Sequence, residues 1–163
     1  MASVPSNQSR KPHQCGAICW RLDQSGKVVI LLVTSRGTGR WIIPKGNLRK
    51  RESQYECARR EAFEEAGVTG RIGKRPLGNF IYYKRERQQW LTVSVFPLLV
   101  NQEADEFPET GLRQRCWLPI EEAAACLNEP DLRAVFRSLE DHACMATAPS
   151  PFADRRPCMN YGA

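Results

Sequence analysis

Short apolar runs, separated by polar and charged turns, follow one another along most of the chain, and this pattern is typical of β-strands. The runs that predict strands lie at residues 15–22, 28–34, 41–44, 78–84, 90–100 and 113–118. The turn Asp23-Gln24-Ser25-Gly26 separates the first two runs, and the charged segment 85–89 joins the fourth and fifth into a hairpin. Residues 120–127 and 131–140 have helical spacing, with Pro130 between them. The pattern therefore predicts a sheet accompanied by helices.

The clearest helix prediction covers residues 53–66. Ser53 can cap the first turn, and Glu56 three residues later completes a capping box. Gly67 follows the last helical residue and can adopt the left-handed conformation that ends many helices. At about 100° per residue, one face of this helix carries a stripe that can pack on a sheet, formed by Tyr55, Ala58, Ala62 and Ala66.

The composition is that of one globular core, with 42% hydrophobic and 26% charged residues in a chain of 163. We expect one domain at residues 13–143 and flexible tails at 1–12 and 144–163. No apolar run approaches the roughly 20 residues of a membrane helix, and the N-terminus lacks the apolar segment of a secretory signal. The seven cysteines include no CxxC pair, so we expect reduced thiols in a cytoplasmic protein without a membrane partner.

Acidic residues concentrate in one segment of this basic chain. The net charge is +6, but residues 52–67 hold five acids and two arginines, so this segment carries −3 and the rest carries +9. Within it, Glu61, Glu64 and Glu65 project from one face of the predicted helix, where they repel one another. A hard divalent cation such as Mg²⁺ offsets that repulsion through oxygen ligands. A solvated acidic helix face is the alternative, and the charges alone do not decide between the two.

A long motif overlaps this helix. The segment GNLRKRESQYECARREAFEEAGV, residues 46–68, fits the pattern G-x5-E-x7-R-E-U-x-E-E-x-G-U, in which U is a bulky apolar residue. It resembles the Nudix box of the Nudix hydrolases, with Ala62 smaller than the family's usual residue at that position. The preceding WIIPKG, residues 41–46, resembles the same region of diphosphoinositol polyphosphate phosphohydrolases, and dinucleoside polyphosphate hydrolases have similar segments. The resemblance extends over about residues 14–140.

The resemblance implies an α/β fold, a Nudix α/β/α sandwich with a mixed β-sheet between helices. It also implies Mg²⁺-dependent, or Mn²⁺-dependent, hydrolysis of a diphosphate linkage by water attack at phosphorus. Glu61 and Glu65 would be metal ligands, and Glu64 the base or a further ligand, with another oxygen from the backbone at Lys45 or Gly46. Arg60 would complete the catalytic set by pairing with a carboxylate such as Glu52, setting the geometry of the site more than taking part in the chemistry. Two motif residues would have structural roles, Glu52 and Gly67.

Several residues outside the motif are candidate substrate contacts. Trp41 can stack on a base or begin a core strand. Of the strand residues Arg113 and Arg115, one can reach the substrate or both can face solvent, and the acidic stretch 103–109 can supply a further metal carboxylate or form a solvated loop. The remaining basic candidates lie in two predicted loops and are Arg36, Arg40, Lys84, Arg85 and Arg87.

The favoured substrate is a phosphate-rich small molecule, either a diphosphoinositol polyphosphate or a dinucleoside polyphosphate, because the charge outside the helix is positive. The enzymatic alternatives are a nucleoside triphosphate, ADP-ribose, or a capped or triphosphorylated RNA 5′ end, the one form of nucleic acid considered. A different class is a Nudix-fold module that binds a nucleotide without cleaving it. Three intact glutamates favour an enzyme over that module.

Overall fold

A mixed sheet runs through residues 13–147, the part of the chain that the computed structural model describes. Its strands are β1 (His13–Leu22), β2 (Val28–Thr34), β3 (Trp41–Ile42), β4 (Lys45–Asn47), β5 (Val68–Ile72), β6 (Gly78–Lys84), β7 (Gln89–Glu103) and β8 (Arg115–Pro119). The helices are α1 (Gln54–Ala66), α2 (Ile120–Cys126) and α3 (Pro130–Thr147), and a short 3₁₀ turn joins β6 to β7 at Arg85–Arg87.

The sheet is organised around β1 and β7, which pair in parallel from His13↔Thr92 to Trp20↔Leu99. The other pairings are antiparallel: β2 and β4 lie on β1, β3 and β8 on β2, and β5 and β6 on β7. β6 and β5 share one edge of β7, because β6 pairs with its first half up to Val95 and β5 pairs from Leu98 onwards. Pro97, which has no N–H to donate, lies where one partner gives way to the other.

Both faces of β1 are buried, and the side chains on one face are smaller than those on the other. Cys15, Ala17 and Cys19 face α1 and form one core cluster with its residues Ala58, Ala62 and Ala66. Ile18 and Trp20 face the other way, into a larger cluster with Leu132, Phe136 and Leu139 of α3. Because side chains alternate across a strand, the small residues allow α1 to approach the sheet closely while the large ones fill the opposite layer. This is the predicted sandwich, and the predicted alanine stripe is its contact surface.

The ends of α1 are those that the sequence predicts. The side chain of Ser53 accepts a hydrogen bond from the Glu56 N–H, and the Glu56 carboxylate accepts one from the Ser53 N–H. Gly67 closes the helix at φ 67°, where a residue with a β-carbon would be strained and its β-carbon would lie 2.4 Å from the Phe107 ring. The two caps fix the helix along its axis and therefore fix the height of its glutamates on the sheet.

Several element boundaries differ from the sequence expectation. Strands β4 and β5 were not expected, because their residues are polar or glycine-rich and their pairing with β1 and β7 is not visible in the local pattern. β3 ends at Ile42 rather than residue 44, β7 is longer than predicted at both ends, and β8 begins at Arg115 rather than residue 113. Pro130 is the first residue of α3, a position proline favours, and the helix extends past the expected domain boundary at 143.

The two predicted tails fall mostly outside the described residues, which leave out 1–12 and 148–163. Between these limits, none of the helices is long and apolar enough to cross a membrane. The six cysteines of the described part are free thiols: Cys15, Cys19, Cys57, Cys116, Cys126 and Cys144.

Candidate active site

The three glutamates of α1 lie on the wall of a cavity of about 720 Å³. Glu61 and Glu65 are buried, whereas the side chain of Glu64 retains 27% of its exposure. Burial raises the pKa of Glu61, and it raises the pKa of Glu65 to about 7 even though Arg113 and Lys45 oppose that shift. The three alanines of the stripe beside these residues are fully buried and Tyr55 is partly buried, so the carboxylates stand at the margin of the packed surface, as their helical spacing predicts.

Arg60 ties the loop before α1 to these carboxylates. Its Nε and Nη2 donate to the two carboxylate oxygens of Glu52, at 2.7 and 3.0 Å. Its Nη1 donates to Glu61 Oε1 at 2.5 Å and to Glu64 Oε2 at 3.0 Å. The hydrogen bond from Arg60 is the main reason that the pKa of Glu52 is lowered. The predicted pairing of Arg60 with Glu52 is therefore present, and it places one guanidinium between three carboxylates.

Arg113 is the corresponding cationic partner of Glu65. Its Nη2 lies 2.5 Å from Glu65 Oε1 and its Nε 2.5 Å from Glu109 Oε2, while Nη1 donates to the Thr34 carbonyl at 2.9 Å. The side chains of Arg113 and Glu65 are only 7% and 9% exposed. The backbone N–H of Lys45 donates to the other Glu65 oxygen at 3.0 Å. This buried ion pair joins the helix to β4 and to the segment before β8.

Gly46 makes room for Glu61. A β-carbon built on Gly46 would lie 2.1 Å from Glu61 Oε1, so the carboxylate packs directly against the glycine backbone. The Lys45 side chain is buried, which lowers its pKa, and its ammonium lies 4.6 Å from the centre of the Tyr82 ring. The Gly46 carbonyl accepts a weak hydrogen bond from Cys57 Sγ at 3.8 Å.

Cationic side chains occupy other parts of the same cavity wall. The loop after β2 supplies Arg36 and Arg40, the last residue of β6 is Lys84, and the turn that follows supplies Arg85. Arg40 is paired with Glu129 at 2.8 Å, whereas Lys84 and Arg85 have no carboxylate within ion-pair distance in the described part of the chain. Carboxylates and basic residues therefore face one shared volume.

Three sequence-predicted substrate residues do not line this cavity. Trp41 is half-buried and packs against the large core cluster, which favours its structural alternative. Arg115 donates to the Ala66 carbonyl at 2.8 Å and lies over the Phe107 ring, so it caps the C-terminus of α1. Arg87 is also absent from the cavity lining. Of the arginine pair, it is Arg113 that reaches the site.

Other lining residues were missed or only loosely indicated by the sequence. Glu109 lies in the acidic stretch 103–109, and the Glu109 N–H bonds to the Glu64 carbonyl at 3.0 Å. Tyr82 and Gln14 were not predicted, and their side chains bond to each other at 2.8 Å. Gln14 precedes the apolar run 15–22, and Tyr82 lies within a predicted strand, so the local pattern carried no signal for this pair.

The donor set fits a hard divalent cation. The carboxylates of Glu61, Glu64 and Glu65 offer oxygen ligands beside a glycine that leaves space for them. Within residues 13–147 no three His, Cys, Asp or Glu side chains already converge on one metal position. Each glutamate is turned towards an arginine instead, so a cation there would replace guanidinium contacts.

The comparisons with known proteins agree with this architecture. The family model of the NUDIX domain matches residues 12–139, and the chain therefore belongs to the Nudix family. Nudix hydrolase 21, chloroplastic, of Arabidopsis thaliana is 32% identical over 120 residues, covering 73% of this chain and 60% of the relative. Diphosphoinositol polyphosphate phosphohydrolase 3-beta of Bos taurus is 32% identical over 116 residues, covering 70% and 68%.

A solved structure gives the same fold at lower sequence identity. The C. elegans Ap4A hydrolase superposes with a TM-score of 0.63 at 19% identity, covering 82% of this chain and 98% of that one. The chain spans only 56–60% of the length of three Arabidopsis relatives that it matches.

The buried Glu65–Arg113 pair is expected to contribute strongly to stability. Replacing Arg113 by alanine leaves Glu65 and Glu109 without their guanidinium, and breaking such a pair costs about 3–5 kcal/mol. The matched control is Arg36→Ala, which removes another partner of Glu109 but one whose side chain is 62% exposed, so its loss should cost less than about 1 kcal/mol. Urea unfolding of both variants measures the difference, and equal midpoints would contradict this role for Arg113.

Proposed function

We propose that this chain hydrolyses a diphosphate linkage in a phosphate-rich small molecule, a diphosphoinositol polyphosphate or a dinucleoside polyphosphate, with the help of a divalent metal ion, normally Mg²⁺. One observation supports this most directly: helix carboxylates and unpaired basic side chains line the same cavity. The relative named diphosphoinositol polyphosphate phosphohydrolase supports the substrate class.

The two kinds of side chain suit the two problems of the reaction. A diphosphate is surrounded by negative oxygens that repel an attacking water. A bound divalent cation supplies Lewis-acid neutralisation of those oxygens. Lys84 and Arg85 can hold phosphates further from the reacting bond, and Arg36 and Arg40 extend the basic part of the cavity wall. This division of labour requires both charge types in one volume.

The proposed roles follow from burial and contacts. Glu61 and Glu65, the two buried carboxylates, hold the metal ion together with a backbone carbonyl at Lys45 or Gly46. Glu64 is the most exposed of the three, so water can approach it, and we assign it the proton of the attacking water. Arg60 positions Glu61 and Glu64 through its grip on Glu52.

Other diphosphate substrates satisfy the same chemistry and remain the alternatives: a nucleoside triphosphate, ADP-ribose and the 5′ end of an RNA. A Nudix-fold module that binds without cleaving is the alternative of a different class. We also propose a cytoplasmic location, which the six free thiols of the described residues support. Several relatives are named as chloroplastic or mitochondrial proteins, so a tagged full-length chain imaged in cells is the direct test of that location.

The function is tested by a phosphate-release panel with Mg²⁺ over diadenosine polyphosphates, diphosphoinositol polyphosphates, ADP-ribose and nucleoside triphosphates. We expect turnover of the first two classes to exceed that of the others. Exhaustive chelation should abolish it and added Mg²⁺ or Mn²⁺ should restore it, because the donor set is oxygen-rich. Full turnover after chelation contradicts the metal proposal, and binding without turnover of any compound favours the non-catalytic module.

Glu64→Gln should lower turnover at least 100-fold, because the amide has the same shape but cannot accept the proton; loss of a general base costs about 10² to 10⁴ in rate. Circular dichroism and thermal melting provide the control that the variant is folded. Near-normal turnover in a folded Glu64→Gln protein would transfer the base role to another carboxylate of the cavity.

The double variant Lys84→Ala/Arg85→Ala should raise KM most for the longest polyphosphates, because these cations are placed to meet distal phosphates rather than the reacting bond. Loss of such uniform binding changes KM more than kcat. Arg87→Ala is the matched control, since it removes a cation of the same turn that does not line the cavity. An equal rise in KM for substrates of every polyphosphate length, or an equal rise in the control variant, would contradict a role of Lys84 and Arg85 in binding distal phosphates.

A further inference from the structure

A second, basic groove of about 680 Å³ lies against the loop before α1 and the part of α1 that carries Arg59 and Phe63. Of the residues that line it, the proposed reaction uses only Arg60 and Glu52, which position the carboxylates. Five cationic side chains line it against two carboxylates, Glu52 and Glu56, which gives the groove a net charge of +3. The cations come from the loop before α1 and from the helix itself: Arg49, Lys50, Arg51, Arg59 and Arg60.

The groove's two carboxylates are already engaged. Both oxygens of Glu52 are held by Arg60, and Glu56 is committed to the capping box with Ser53. Arg49 is paired with Glu64. By contrast, Lys50, Arg51 and Arg59 have no carboxylate within ion-pair distance anywhere in residues 13–147, and all three are exposed. They are cations available to a ligand.

The loop that carries Lys50 and Arg51 is fixed at its base. The Arg49 N–H donates to Glu52 Oε2 at 3.0 Å, and the Glu52 N–H donates to the Arg49 carbonyl at 3.3 Å. Arg51 lies within this turn at φ 65°, a left-handed conformation that glycine or asparagine adopts more easily than arginine. An arginine thus occupies a position where backbone geometry alone favours another residue, and its charge points to a function.

An aromatic side chain completes the groove. Phe63 is 37% exposed and lies one helical turn after Arg59, so the ring and the guanidinium are neighbours on the same face of α1. Basic side chains that track a phosphate backbone, together with an aromatic ring on which a base can stack, are what single-stranded nucleic acids require. A concave groove does not suit a flat bilayer surface, and an acidic peptide has no need of the ring.

We propose that this groove binds the backbone of a single-stranded nucleic acid, with Lys50, Arg51 and Arg59 contacting phosphates and Phe63 stacking on a base. None of these four residues lines the carboxylate cavity, and the proposal does not depend on the proposed hydrolysis. A chain bound there would be recognised through its phosphodiesters and bases, whatever group it carries at its 5′ end.

The test measures fluorescence anisotropy of a labelled 5′-hydroxyl oligoribonucleotide of about 12 nucleotides, which offers no diphosphate to cleave. With three phosphate contacts, log K should fall with log salt at a slope of about −2. The triple variant Lys50→Glu/Arg51→Glu/Arg59→Glu should bind at least tenfold more weakly. The matched control, Lys27→Glu/Arg75→Glu/Arg137→Glu, has the same net charge with the groove intact and should bind nearly as well as the parent.

Three further variants separate the groove from simpler explanations. Phe63→Ala should weaken binding at least about fivefold, the lower end of the range for a stacked base. Arg51→Gly should weaken binding while raising thermal stability, because glycine tolerates the turn; a folding defect cannot produce that pair of results. Lys84→Ala/Arg85→Ala should leave oligonucleotide binding unchanged, since those residues belong to the other cavity.

The proposal is overturned if the control triple variant loses as much affinity as the groove variant, which would indicate attraction to net charge alone. It is also overturned if Phe63→Ala has no effect and inorganic tripolyphosphate competes as strongly as the oligonucleotide, which would mark a simple phosphate site. Binding of the parent protein to phosphatidylserine vesicles but not to the oligonucleotide, with loss of vesicle binding in the triple groove variant, would overturn it and assign the surface to a membrane. Hydrolysis by the triple groove variant should stay normal in every case.

Discussion

Three carboxylates drawn against a sheet on one helix are the electrostatic constraint on which this structure depends. Their mutual repulsion and partial desolvation require cations close by, and Arg60 and Arg113 supply them. Arg60 recruits Glu52 and so fixes the loop before the helix, while Arg113 recruits Glu109 and fixes the segment that leads to β8. Parts of the chain far apart in sequence are therefore held around the same carboxylates, and together they form the cavity wall.

Packing explains why the carboxylates stand where they do. The alanines of α1 and the small residues of β1 allow the helix to lie close to the sheet, and the closeness puts the neighbouring glutamates at the rim of the contact. A larger residue in that stripe would lift the helix away from Gly46, against which Glu61 packs. One row of small side chains thus sets how closely α1 approaches the sheet, where the loop at Gly46 lies and how deeply the carboxylates are buried.

Local features of the chain were predictable, and those that depend on distant partners were not. The capping box, Gly67 and the glutamate face follow from spacing within 16 residues, 52–67, and the structure contains them. β4 and β5 escape prediction because polar, glycine-containing segments become strands here by pairing with β1 and β7. Arg113 and Arg115 were both candidates in the sequence, and Arg115 was the expected substrate contact. The structure instead bonds Arg113 to Glu65 and Arg115 to the end of α1. The proposed site roles remain predictions.

The shared edge of β7 has a geometric consequence. β5 leaves directly from the C-terminus of the carboxylate helix, and β6 leads directly into the basic turn at Lys84 and Arg85; both are hydrogen-bonded to the same 15-residue strand. The separation between the acidic and basic parts of the cavity is therefore set along one continuous strand, β7, although its partner changes at Pro97. β7 therefore fixes the distance between the glutamates of α1 and the basic residues Lys84 and Arg85. A molecule longer than this distance must extend beyond the cavity into solvent.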